Sequence, residues 1–154
     1  MLKSFFRSFW RALFPAKAAD TRTQARKTGD WGEEVAARYL RSKGFRIVGR
    51  NVRPDRRNDE IDLIVENRKL LVFVEVKTRA REWKGIRPAD AVDARKRHAL
   101  NRAAVAFLRK AGMPKRIYRF DIVEVLGERE GDGSPRIRHV ESAFPFEDRY
   151  VLYP

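Results

Sequence analysis

Cysteine is absent from this 154-residue chain, which excludes a disulfide framework, thiolate zinc and a cysteine nucleophile, and suits a reducing cytoplasm. Histidine is scarce too. His98 and His139 have no ligand spacing to join them and read as ordinary surface or edge residues, so a bound metal would rely mainly on oxygen ligands. No apolar run approaches the ~20 residues that span a bilayer, because Lys3, Arg7 and Arg11 break up the one greasy stretch. That segment also lacks the unbroken apolar core and cleavage site of a secretory signal. Acidic residues are few beside basic ones: 21 Asp and Glu stand against 35 Lys and Arg, a net charge of +14. Such a chain is drawn to polyanions, whether nucleic acid or an anionic membrane, although charge alone names no partner.

What is present suffices for one core, since 43% of residues are hydrophobic and the length is that of a single domain. Leu2, Phe5, Phe6, Phe9, Trp10, Leu13 and Phe14 recur at helical spacing among Lys3, Arg7 and Arg11. They predict a basic amphipathic helix over 1–15, suited to a membrane surface, a partner or the chain's own domain. Residues 16–28 read as a linker and 29–154 as the domain. There, Asp30 is a candidate N-cap for a helix whose face is Val35, Ala36, Tyr39 and Leu40, ending near Gly44. A strand at Phe45 to Val48, a hairpin of Glu60 to Glu66 with Leu70 to Thr78, a helix from about Ala89 to Lys110, and strands at Ile117 to Val125 and Arg136 to Val140 follow.

The hairpin carries the chemistry. Side chains two apart on a strand share a face, so Phe73, Glu75 and Lys77 point one way and Val72, Val74 and Val76 the other. On the preceding strand Glu60, Asp62 and Ile64 share a face. A loop of Glu66 to Lys69 would pair Val65 with Leu70, setting Asp62 opposite Phe73 and Glu60 opposite Glu75, with all the carboxylates and Lys77 on one side. A slip of one residue would send Asp62 to the other face and destroy the site. Crowded carboxylates call for a cation, and oxygen-only ligation favours Mg²⁺ or Mn²⁺. A metal on Asp62 and Glu75 could polarise a phosphodiester and activate water, with Lys77 orienting that water or neutralising charge. An ordinary ion pair at a strand end remains the plain alternative for Glu75 and Lys77. An acid in the first turn of the first helix could join the cluster, but spacing does not choose between Glu33 and Glu34.

Asp62, twelve intervening residues, then Glu75-Val76-Lys77 resembles the Asp…Glu-X-Lys signature of the restriction-endonuclease-like PD-(D/E)XK nuclease superfamily. Gly32-Glu33, Ala36, Tyr39-Leu40, Gly44-Phe45, Arg50-Asn51, the Glu60 to Ile64 run, the Val72 to Arg79 run, Lys96, Arg119-Phe120-Asp121 and Ala143-Phe144 more narrowly resemble the YraN-like family of predicted bacterial endonucleases, which is similar to archaeal Holliday-junction resolvases. The resemblance covers nearly everything after residue 28. It implies an α/β (α+β) restriction-endonuclease-like three-layer fold, a mixed central β-sheet flanked by helices. It also implies Asp62 and Glu75 as metal ligands, Lys77 as the catalytic lysine and Glu33 as the helix-borne acid. One position departs from the pattern: Asp59 stands where relatives usually have Gly, and its carboxylate could alter the turn or disturb metal binding.

Around the site, Lys96 lies on the inward stripe of its helix with Val92 and Leu100, placed either to snorkel along the core edge or to meet a phosphate. Arg79, Arg81, Lys84 and Arg87 with Trp83 supply cations for phosphates and one aromatic for a base. Arg95, Arg97, Arg102 and Arg109 read as a solvated basic flank, and Arg119 with Asp121 as a structural pair. The expectation is a Mg²⁺- or Mn²⁺-dependent endonuclease acting on DNA, with branched DNA among the candidate substrates and a non-catalytic nucleic-acid-binding module as the alternative. A homodimer would match a two-fold substrate.

Overall fold

Five strands and two helices are described in the computed structural model, which covers residues 23–57, 59–80, 90, 92–131 and 133–148. In chain order they are α1 (Gln24–Ser42), β1 (Arg46–Val52), β2 (Ile61–Glu66), β3 (Leu70–Arg79), α2 (Ala94–Lys110), β4 (Ile117–Leu126) and β5 (Arg136–Phe144). The strands form one sheet in the order β1-β2-β3-β4-β5. Neighbours are antiparallel except β3 and β4, which are parallel. A parallel pair requires a crossover, and α2 lies within it.

Period-two alternation divides each central strand between two cores. Leu63, Val65, Val72, Val74, Val123 and Val125 pack with Val35, Ala36, Ala37 and Leu40 of α1. Ile64, Leu71, Phe73, Phe120 and Ile122 pack with Leu100, Ala104, Phe107 and Leu108 of α2. The fold is therefore the expected mixed sheet with a helix layer on each face, and each fully buried Val, Leu or Phe contributes about 1.5–3 kcal/mol. Among the described residues no helix is long and apolar enough to cross a membrane. The amphipathic segment 1–15 lies outside the described residues.

Element boundaries moved where local chemistry allowed it. α1 starts at Gln24 with Thr23 as its N-cap, six residues before Asp30, so 24–28 of the expected linker are helical. Gln, Ala, Arg and Lys favour that conformation, and Gly29 interrupts the run without ending it. α2 starts at Ala94, later than the expected Ala89, because the Asp93 side chain accepts a hydrogen bond from Lys96 N at 2.7 Å and caps the helix there. Both helices stop at a glycine with positive φ, Gly44 (85°) and Gly112 (73°). Phe45 N donates to Leu40 O and Met113 N to Leu108 O, the bonds of a Schellman ending.

The hairpin register differs from the expected one by two residues. Asn67 Oδ1 accepts from Lys69 N and Leu70 N at 3.0 and 2.9 Å, so the turn is built around Asn67 and pairs Glu66 with Leu71. A two-residue shift keeps every side chain on its face. Continuing the ladder one step past Leu63↔Val74 brings Asp62 level with Glu75, where Phe73 had been expected.

Candidate active site

Asp62, Glu75 and Lys77 reach one face of the sheet, the α2 side, at the end of β3 that leads toward α2. Asp62 Oδ2 accepts the backbone N–H of Val76 at 2.7 Å, which fixes its carboxyl against β3 beside Glu75. Glu75 is 3% exposed. Lys77 Nζ lies 2.8 Å from its Oε1, and Lys96 Nζ reaches its Oε2 at 3.0 Å from the first turn of α2. The Asp93 cap that starts α2 thus places Lys96. Lys96 pairs with Glu75 from a side chain that is 35% exposed.

Burial, then the neighbouring Glu75 charge, pushes the Asp62 carboxyl up from its ordinary 3.8 to about 8, against the Val76 N–H and Lys96, which pull it down. Burial alone would lower Lys96, yet the charges of Glu75, Asp62 and Glu60 together outweigh it and hold the ammonium above its usual range. The low-dielectric surroundings strengthen each of these terms. Glu75 Oε2 is buried and takes no directed hydrogen bond, with the Lys96 ammonium 3.0 Å away as an ion-pair partner. A buried carboxylate met by lysine ammoniums, facing a second acid whose proton is retained through burial and repulsion, is a pair of oxygen ligands of the kind that fits a hard divalent cation. Mg²⁺ in particular is held by one or two protein carboxylates, with its other positions left to water and phosphate.

Glu33 is tied elsewhere. Asn51, in the left-handed region at φ 49°, donates from Nδ2 to Glu33 Oε2 at 2.8 Å, while Glu34 pairs with Arg50 at 2.9 Å. Burial, followed by the charges of Asp30 and Glu60, raises Glu33 above its usual range, opposed chiefly by Asn51. Glu60, placed by the sequence among the facing carboxylates, is claimed by Arg53. Among the described residues no three of His, Cys, Asp and Glu are gathered as a metal-ligating group. The acids at close quarters are therefore Asp62 and Glu75, with Glu33 felt by Asp62 only as a weaker charge.

The basic residues separate in the same way. Arg79 Nε lies 3.1 Å from buried Glu124, so it is anchored in the sheet and not part of a loose loop. Arg81, Trp83 and Lys84 lie outside the described residues. Arg102, assigned to the solvated flank, instead grips Asp59 through Nε and Nη2 at 2.9 and 3.1 Å. The departure at Asp59 is thus a clamp between the entry to β2 and α2. Arg97, of the same flank, lies over the Phe144 ring at 5.6 Å. His139 stands on the edge strand β5 but is not a surface residue: its side chain is 7% exposed and its Nε2 lies 2.8 Å from Asp121. His98 pairs with Glu147 at 3.0 Å. Asn51, Glu124 and Arg138 entered no expected site, and only long-range pairing reveals them.

The chain matches the model of Uncharacterised protein family UPF0102 over residues 32–125, a span that holds Glu33, Asp62, Glu75, Lys77, Arg79 and Lys96 and ends before β5. A UPF0102 protein of Symbiobacterium thermophilum is 44% identical over 120 residues, covering 78% of this chain and 98% of that one. One from Syntrophomonas wolfei is 42% identical over 119 residues, 77% and 98% of the two chains. One from Chlorobaculum tepidum is 41% identical over 124 residues, 79% and 94%.

Proposed function

We propose that this chain, which belongs to the uncharacterised protein family UPF0102, is a Mg²⁺- or Mn²⁺-dependent endonuclease that hydrolyses phosphodiester bonds of DNA, branched DNA among its candidate substrates. The observation that carries the reading is the pairing of Asp62 with Glu75 on one buried face, with Lys77 and Lys96 on the two oxygens of Glu75. Resemblance of the Asp62…Glu75-Val76-Lys77 spacing to the nuclease-superfamily signature supports it, as does the net charge of +14.

Asp62 and Glu75 would hold the metal, with Glu33 a further ligand directly or through water, and the ion would supply Lewis-acid polarisation of the phosphate and a more acidic water. Lys77, beside Glu75 and 30% exposed, would orient the attacking water and offset negative charge on the phosphoryl oxygens. Lys96 would take a non-bridging oxygen once Glu75 is otherwise engaged. Val76 N–H keeps the Asp62 carboxyl aimed at Glu75. A fixed donor or cation of this kind contributes about 100- to 1,000-fold in rate.

The test is incubation of the full chain with linear, nicked and four-way DNA in Mg²⁺ or Mn²⁺. Lys77→Ala is expected to cut at least about 100-fold more slowly while melting at the temperature of the wild type. Identical products from both proteins would sink the reading. A non-catalytic nucleic-acid-binding module is the second reading, favoured by the double occupation of Glu75 by lysines and by Glu33 lying on Asn51. Salt-sensitive binding without cleavage in any metal would establish that alternative.

A further inference from the structure

Residues two apart on a strand ordinarily share a face, yet on β1 Arg50 meets Glu34 of α1 at 2.9 Å while Val52 packs in the core on the α2 side. The alternation breaks between them at Asn51, whose φ is 49°. Asn is one of the few residues with a side chain that accept this left-handed conformation readily. With that turn its amide reaches α1, where Nδ2 donates to Glu33 Oε2 at 2.8 Å. Backbone of this kind inside a strand persists where its surroundings over-determine it, and the flanking pairs Arg50↔Leu63 and Val52↔Ile61 hold it on both sides. The same pairs set Asn51 level with Asp62.

We propose that Asn51 is a positioning residue: its neutral amide holds the Glu33 carboxylate at the level of Asp62 with its charge intact, which selects Glu33 over Glu34 as the helix acid that joins Asp62 and Glu75 around a divalent cation. This role presupposes the metal-dependent reading above. Consecutive residues of β1 treat consecutive acids of α1 differently. Glu34 meets a guanidinium, which offsets its charge; Glu33 meets an amide, which donates one hydrogen bond and offsets no charge. A bond of this kind does not withdraw Glu33 from a cation. Each carboxylate oxygen has two lone pairs, and a carboxylate that ligates a metal is ordinarily held in turn by an outer hydrogen-bond donor that fixes its orientation. The Glu33 charge reaches Asp62, so a cation taken up by Asp62 and Glu75 draws on it as well.

The test is Mn²⁺ binding to the full chain without DNA, followed by the electron paramagnetic resonance signal of free Mn²⁺. Glycine takes a φ of 49° freely, so Asn51→Gly keeps the backbone and removes the donor. It is expected to bind Mn²⁺ about 10-fold more weakly at a nearly unchanged melting temperature. Glu33→Gln should weaken binding to a similar degree, and Asn51→Gly added to it should cost little more, because the amide acts through that carboxylate. A merely structural Asn51 would instead show its full effect in both backgrounds. Glu34→Gln should leave the affinity nearly unchanged. The role is overturned if Asn51→Gly binds Mn²⁺ like the wild type, if its effect persists in full beside Glu33→Gln, if Glu34→Gln matches Glu33→Gln, or if the wild type binds no Mn²⁺. Should Asn51→Gly not fold, the contrast between Glu33→Gln and Glu34→Gln decides. Mn²⁺ affinities as expected with no cleavage of DNA defeat the nuclease reading alone; cleavage by the wild type with an unaltered Mn²⁺ affinity in Asn51→Gly defeats the positioning role alone.

Discussion

Two buried acid sites occupy opposite faces of the same sheet and are treated in opposite ways. On the α1 side, Asp121 is wholly enclosed: Arg119 and His139 lie 2.9 and 2.8 Å from Oδ2, and Ser142 N donates to Oδ1 at 3.0 Å. Tyr39 of α1 closes the group, edge-on to the His139 ring at 5.6 Å. On the α2 side, Asp62 has one backbone donor and a second acid as its neighbour, and Glu75 keeps an oxygen without a hydrogen bond. A fully partnered buried acid fixes structure, here the bulge between β4 and β5; an under-partnered pair stores unfavourable charge that a ligand can relieve.

The largest expected effect is on the partnered side. Asp121→Ala leaves Arg119 and His139 beside an emptied buried position and should cost about 3–5 kcal/mol in urea unfolding. Glu75→Gln should change stability by no more than about 1 kcal/mol, because its lysines are partly open and regain water. Equal losses in the two variants would erase the contrast. Next in size is Gly32, where α1 meets β3 on the Asp121 side. A Cβ there would sit 1.8 Å from Thr78 Oγ1, so Gly32→Ala should lower stability by about 1–3 kcal/mol. Adding Thr78→Ala, which removes the clashing oxygen, should restore most of the loss.

A smaller, pH-dependent effect sharpens the comparison. Asp62 binds its proton more tightly folded than unfolded, so between 3.8 and about 8 the folded state carries the extra proton and stability falls as pH rises. Metal-free wild type should therefore melt progressively lower across that window and level off above it, while Asp62→Asn should lose this component; parallel profiles for the two would disprove it. The smallest effect belongs to Asp59→Gly, which releases Arg102. A loss of about 0.5–1 kcal/mol is expected, with DNA cleavage unchanged. A rise in cleavage would mean that the Asp59 charge reaches the site.

Much of the site's frame was legible in the chain. Alternation over Val72 to Lys77 put Glu75 and Lys77 together on one face, and a register wrong by two residues still left Asp62 with them, because the side-chain period is two. The inward position of Lys96 followed from its spacing to Val92 and Leu100. The Asp59–Arg102 clamp, the Asn51 bond to Glu33 and the burial of His139 did not follow, since residues 43, 18 and 18 apart in sequence form those pairs.

By itself the sequence determined which side chains share a face, where the helices stop at Gly44 and Gly112, and that a strongly cationic chain carries an acid–acid–lysine set on adjacent strands. Only the tertiary structure decided how each buried acid is met: Asp121 is enclosed by Arg119, a histidine from β5 and the Ser142 N–H, whereas Glu75 has a lysine from α2 beside an oxygen that takes no hydrogen bond. The division is physical. Periodicity and capping arise from backbone geometry within a few residues, whereas the state of a buried charge depends on distances to groups delivered by other elements, and those distances exist only once the sheet is paired and the helices are packed on it.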